Sequence, residues 1–204
     1  MAMESATDPY ASWWTHHATG VKTFARMLLG FALAIDGYLK FSSGYNNGTF
    51  LSNIQTSQAS DPSWLSPWFS FWATQAANNS SVIVYTVGTF ELLLGLALIF
   101  GFMRKIAYVG GIILTLLIWA IPEGFGGPYT VSGSAATDVG TGIIYAIAIV
   151  GLVAISATYG SSRYSLDYYI ERRVPSWARL SEFGTPLWGP MRPPRGTTPS
   201  APGN

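Results

Sequence analysis

The sequence predicts an all-α, polytopic membrane protein: a four-transmembrane-helix bundle with short interfacial helices and a disordered, Pro-rich C-terminal tail. Three observations predict it. Hydrophobic residues make up 49% of the 204 positions and charged residues only 10%, an apolar excess unlike that of ordinary soluble domains. Apolar stretches recur at 21–41, 82–102, 106–121 and 139–159, the longer ones meeting the roughly 20 residues a helix needs to cross the hydrocarbon core. Lys and Arg cluster in alternate connections and are missing from the others, the asymmetry that orients membrane proteins.

Residues 1–20 are polar apart from Tyr10, Trp13 and Trp14, a composition for a segment at headgroup depth. His16 and His17 are the only histidines. Adjacent helical residues point about 100° apart and make poor ligands for one metal, and a haem held by histidines of two spans is excluded. The first span, 21–41, itself serves as the targeting signal and carries Asp36 and Lys40 one helical turn apart. Two readings stay open: a self-neutralising pair with Lys40 reaching outward, or a polar pair turned into the bundle.

The connection 44–81 has no Lys or Arg. Within it, 60–75 reads as a surface helix, with Pro62 in its first turn, Pro67 dividing it and Trp64, Trp68 and Trp72 along one side. Asn47, Asn78 and Asn79 begin glycosylation-type triplets, which carry meaning only on an outward face. The second span, 82–102, holds Glu91 near its middle. A carboxylate at that depth must be neutral, paired or facing a polar cavity, or else serve as hydrogen-bonding glue between helices. Arg104 and Lys105 lead into the third span, 106–121, with Trp119 near its far end. Gly140, Gly142 and Gly151 predict close packing of the fourth, 139–159. Residues 161–183 are basic and aromatic, suiting an amphipathic segment on an anionic leaflet, and 184–204 are predicted disordered.

These charges predict both termini on the cytoplasmic side of the cell membrane. Asp36 then lies roughly 8 Å and Glu91 roughly 14 Å inside the outer boundary, with Lys40, Glu123 and Asp138 at the rim. The connection within 118–145 is the longest Gly/Pro-rich interruption between apolar segments, and Glu123 and Asp138 bracket it. Such backbone is a plain connector or part of a site. Its GFGGPY string is placed to fold over the bundle mouth.

A net charge of +1 with no basic stripe argues against a nucleic-acid partner. Without cysteine the chain has no disulfide, no thiolate-held zinc or iron–sulfur cluster and no sulfur nucleophile. No metal site is expected, and redox chemistry would require a bound organic cofactor or another chain.

The end of span one, AIDGYLKF, the string FELLLGLALIFGFMRK, and IWAIPEGFGGPYT followed by TDVGTGIIY together resemble the DoxX/DoxD group of membrane proteins. Within it they are most similar to the DoxD-type subunits of thiosulfate:quinone oxidoreductases. The resemblance implies a membrane-bound oxidoreductase that passes electrons from a reduced sulfur compound to quinone together with at least one further protein subunit. The residues fit the quinone half, which needs an apolar slot, aromatics and proton donors. Glu91 and Asp36 are the candidate catalytic carboxylates, and Tyr38, Trp119 and Tyr145 the candidate quinone contacts. For a thiosulfate dianion the outer side offers Lys40 and backbone N–H groups of the glycine-rich turn, so Lys40, Glu123, Gly126, Gly127, Tyr129 and Asp138 are the candidate substrate-binding residues. The rival reading is a non-catalytic scaffold or assembly subunit of a larger membrane redox complex. A small transporter is a third, less favoured because no inverted repeat is evident.

Overall fold

The computed structural model describes residues 9–42, 48–126, 139–159 and 164–183. The expectations for Gly127, Tyr129, Asp138, Asn47, the first residues and the 184–204 tail lie outside the described residues. The described chain is all-helical: α1 (Pro9–Leu39), α2 (Thr49–Ser60), a 3-10 turn (Ser63–Leu65), α3 (Ser66–Phe100), α4 (Arg104–Ala120), α5 (Thr141–Tyr159), α6 (Leu166–Arg173), a second 3-10 turn (Pro175–Trp177) and α7 (Ala178–Ser181).

The four long helices form a closed antiparallel bundle in which α1 packs on α3 and α5, and α4 on α3 and α5. Glycines set the closest crossing. A Cβ built on Gly30 would lie 2.8 Å from the Gly95 carbonyl oxygen, and one on Gly37 2.7 Å from that of Gly88. Both pairs are seven residues apart on their helices, so the backbones touch twice along one seam, as small residues permit in membrane bundles. The α4–α5 crossing is similarly close at Gly142, whose Cβ would meet the Trp119 nitrogen at 2.8 Å. Gly151 has nothing within 4 Å of such a Cβ, so of the glycines expected to pack the fourth span it is the one that does not.

Two buried clusters fill the bundle. Leu29, Leu33, Leu98, Tyr108 and Ile149 form one; Phe50, Ile54, Phe69, Val84 and Ile121 form the other, where α2 closes one end. Outside, Phe24, Leu28, Phe31 and Ile35 on α1, Phe90 and Leu93 on α3, Ile113 on α4 and Ile147 on α5 are all exposed. A belt of large apolar side chains around the whole bundle is what lipid contact requires and what water disfavours.

Four spans were expected, and among the described residues two segments are long and apolar enough by themselves to cross a membrane, His17–Leu39 and Ser63–Phe100. The reason is length and charge. α4 has 17 residues and starts on Arg104 and Lys105, which is about 26 Å of helix at 1.5 Å per residue; α5 has 19 residues, with a shorter apolar stretch. The first helix also starts well before Val21, at Pro9. The short helix expected over 60–75 corresponds to the first part of α3, which a kink separates from the rest; Pro67 does not divide it but sits in its first turn, where no N–H is needed. The break falls later, at Asn79 (φ −139°, ψ 29°), within the predicted glycosylation triplets. α3 ends at Gly101 (φ 64°), whose N–H and that of Phe102 return to carbonyls of the last turn, a left-handed stop that only glycine makes without strain.

Candidate functional site

The glycine seam brings the ionisable residues of α1 and α3 to one level. Gly88 leaves room for Lys40, whose Cβ lies 3.0 Å from where a Gly88 side chain would begin. Lys40 has just left the helix and turns across the seam, and its Nζ lies 2.6 Å from Glu91 Oε2, with the two side chains 13% and 3% exposed. Lys40 therefore pairs between helices rather than with Asp36 one turn back. Asp36 forms its side-chain hydrogen bond with the Tyr145 hydroxyl of α5, and Glu91 and Glu123 are near enough to act electrostatically on the same phenol. Asp36, Lys40, Glu91, Glu123 and Tyr145 thus form one polar group drawn from α1, α3, α5 and the turn after α4.

Glu123 has a structural task within it. Both of its oxygens accept the Gly142 N–H, at 2.9 and 3.2 Å, which caps the N-terminal turn of α5 and sets negative charge against the positive end of its dipole. Trp119 supports the same corner by donating its indole N–H to the Val139 carbonyl at 3.1 Å. The turn between them is backbone-unusual: Gly124, Phe125 and Gly126 all have positive φ, at 59°, 59° and 32°. Phe125 is held there by rings, edge-on to Trp119 at 5.2 Å and near Trp68 and Phe69. Beside the turn, Asp61 Oδ2 is buried without a hydrogen-bond partner, and burial pushes the Asp61 carboxyl above the usual carboxylate range.

Lys40 also lines a cavity of about 140 Å³ with Phe50, Trp72, Val87, Leu114 and Ile118. An apolar cavity of about 150 Å³ holds one benzene ring, so the space suits a single planar ring with an ammonium on its wall. Of the other sequence-derived candidates, Tyr38 is 70% exposed and points away from this cluster's interior, while Gly126 is buried in the turn.

A second polar cluster, at the opposite end, was not anticipated. Asp167 accepts the backbone N–H groups of Met103 (2.8 Å) and Arg104 (3.0 Å), the Arg104 Nε (3.0 Å) and the Trp177 indole N–H (2.9 Å). Arg104 reaches Glu182 at 3.1 Å and Glu171 at 3.6 Å, and Glu171 accepts the Ser181 hydroxyl. Burial opposes the charge on Arg104, but Glu182 and Asp167 outweigh it and hold its pKa above the usual arginine value. Arg26, itself buried, donates to the Tyr164 carbonyl at 3.0 Å. The basic segment expected to lie on a leaflet therefore buries Asp167 and Glu171 against the bundle and leaves Arg172, Arg173 and Arg179 exposed. The signal available in the sequence was the i, i+4 spacing of Asp167 and Glu171 inside an otherwise basic stretch.

The family model described as DoxX matches residues 21–124, from the buried part of α1 through the turn that carries Glu123. This chain belongs to the DoxX family. DoxX proteins are generally membrane proteins, in accord with the apolar belt. Within the DoxX match lie Asp36, Lys40, Glu91 and Glu123, and beyond it lies their partner Tyr145. No curated protein and no solved structure gives a match.

Proposed function

We propose that this DoxX chain is an integral membrane subunit of a quinone-linked oxidoreductase. Its four long helices cross the bilayer with both termini cytoplasmic, and it works with at least one further subunit. The antiparallel bundle puts Lys22 and Arg26 of α1 beside Arg104 and Lys105, with Arg172, Arg173 and Arg179 at the same end, and the positive-inside tendency makes that end cytoplasmic. One observation carries the redox reading: Lys40, held by Glu91, is on the wall of an apolar cavity sized for one ring.

A quinone bound there would supply the acceptor for two electrons and two protons. Lys40 would hold such a ring by a hydrogen bond to a carbonyl, and an ammonium in a dry site is worth more than in water. Glu91 fixes the ammonium in place, and Asp36 with Tyr145 forms a second proton-holding pair one helix away. Trp72 and Phe50 supply the ring's apolar contacts. Thiosulfate as electron donor follows from the resemblance alone. Lys40, the cation assigned to it, is neutralised by Glu91, so we assign donor oxidation to the other subunit.

The test uses the complex purified with its partners. Thiosulfate-dependent reduction of a short-chain quinone should fall at least tenfold in Lys40→Met/Glu91→Gln, which leaves no buried charge without its counterion, with the complex still assembled. Unchanged quinone affinity and turnover in the Lys40→Met/Glu91→Gln chain would end the quinone reading. If deleting the chain then disperses the complex, the assembly-subunit alternative takes its place.

A further inference from the structure

We propose that the seam between α3 and α4 is a binding groove for the polyprenyl tail of a membrane quinone, a reading that rests on the ring assignment above. Val87 lines the Lys40 cavity. Phe90, Leu94 and Ala97 follow it at steps of three and four, so all four residues lie on one stripe of α3. The last three line a second apolar groove, more open and of about 440 Å³. Opposite them, α4 contributes Leu114 to the upper cavity and Ile106 and Ala107 to the lower groove. The two hollows are thus successive stations on the same helix pair.

Gly110 stands between them. A Cβ there would meet only Leu94 Cδ2, at 3.4 Å, so the wall of α4 is notched where the hollows approach each other. From Val87 to Ala97 the stripe rises about 15 Å, a length for a short prenyl chain. The upper end selects the occupant. A phospholipid would have to place its phosphate by Lys40, whose charge Glu91 already neutralises at 2.6 Å, whereas an uncharged ring fits the cavity. A long-tailed quinone satisfies both hollows with one molecule, and packing of the tail against the groove adds van der Waals contact along its length.

The experiment is saturation binding of two radiolabelled quinones to the full chain in a fixed detergent. The quinones share a ring and differ by a prenyl tail, and detergent partitioning is subtracted with a tail-only competitor. The tailed quinone should bind at least tenfold more tightly than the bare ring. Gly110→Leu, which fills the notch, should reduce that gain to within twofold and leave bare-ring binding unchanged. Should Gly110→Leu lose helical circular dichroism, Leu93→Trp blocks the lower groove from an exposed position. Equal affinity for both quinones, or a tail gain that survives both variants, overturns the groove while the ring site stands. Tailed binding sensitive to the variants without saturable bare-ring binding keeps the groove and overturns the ring site. Displacement of the tailed quinone by phosphatidylcholine at equal concentration would show a general acyl groove and also overturn the proposal.

Discussion

A side chain on Gly37 would begin 2.7 Å from the carbonyl oxygen of Gly88, so these two residues fix how closely α1 and α3 approach. Gly37→Ala must push the helices apart, an overpacking that costs about 1–3 kcal/mol. It also lengthens the reach from Lys40 to Glu91. Gly151→Ala is the matched control, since its side chain meets nothing within 4 Å, and it should be neutral or stabilise by up to about 1 kcal/mol. Thermal unfolding in detergent separates the two outcomes. Equal effects would show that the seam does not set the packing.

The Lys40–Glu91 pair predicts a specific non-additivity. Removing one partner leaves a buried charge without its counterion, which typically costs about 3–5 kcal/mol. Lys40→Met alone should therefore destabilise the bundle strongly, and Lys40→Met/Glu91→Met should recover most of the loss. A double-mutant cycle on unfolding free energies reads this directly. Additive losses would mean the two side chains do not act as a pair in the membrane.

How far the sequence anticipates these relations depends on what kind of information each needs. Asp36, Lys40 and Glu91 stand out because charges inside apolar stretches are rare and costly. Their partners do not stand out: the register between α1 and α3 is a property of two helices, set by the paired spacing of Gly30 with Gly37 and Gly88 with Gly95. Tyr145 read as a quinone contact, and its hydrogen bond to Asp36 comes from the α1–α5 packing. Four apolar stretches were legible, yet α4 is short and begins on two cations, so span length alone overstated its independence. In 161–183 the averaged composition is basic and aromatic, which conceals that the acidic side chains face inward. Composition cannot report a face.

Glu123 tests whether the turn after α4 is a connector or part of a site. As a cap it holds the first turn of α5 through Gly142. Glu123→Ala should cost about 0.5–2 kcal/mol and speed amide exchange at the start of α5, with little change near Gly110. A redox role would add a loss of turnover at unchanged exchange rates. Measuring both in the same variant decides between them.

Asp61 gives the structure a pH signature. Its carboxyl is pushed up by burial, so the folded state binds this proton more tightly than the unfolded state. The favourable contribution is complete below the unfolded pKa and is lost as pH rises through the folded one. Asp61→Asn should raise stability at neutral pH and flatten the mildly acidic part of the stability profile. An unchanged profile would mean that Asp61 is solvated at this corner.

The Arg104 cluster predicts a coupled release. Asp167 alone accepts two backbone N–H groups at the start of α4, an arginine Nε and an indole N–H. Asp167→Ala removes all four at once and leaves Arg104 buried with Glu182 and Glu171 only. A buried charge stripped of a principal partner costs about 3–5 kcal/mol. Most of that should appear locally, because this network is the polar anchor of residues 164–183, with the Phe102–Trp177 and Tyr108–Phe183 ring contacts and the Arg26 bond to the Tyr164 carbonyl beside it. Limited proteolysis should therefore cut within 164–183 in Asp167→Ala while the long helices stay protected. Asp167→Asn retains acceptors for the two backbone groups and should be intermediate. With Asp167 gone, the freed segment carries Arg172, Arg173 and Arg179 against only Glu171 and Glu182. The variant's segment should then gain affinity for anionic vesicles, read with a probe placed at Ser176→Cys in this cysteine-free chain. Unchanged attachment to anionic vesicles in Asp167→Ala would mean that the buried carboxylate does not hold these arginines away from the leaflet.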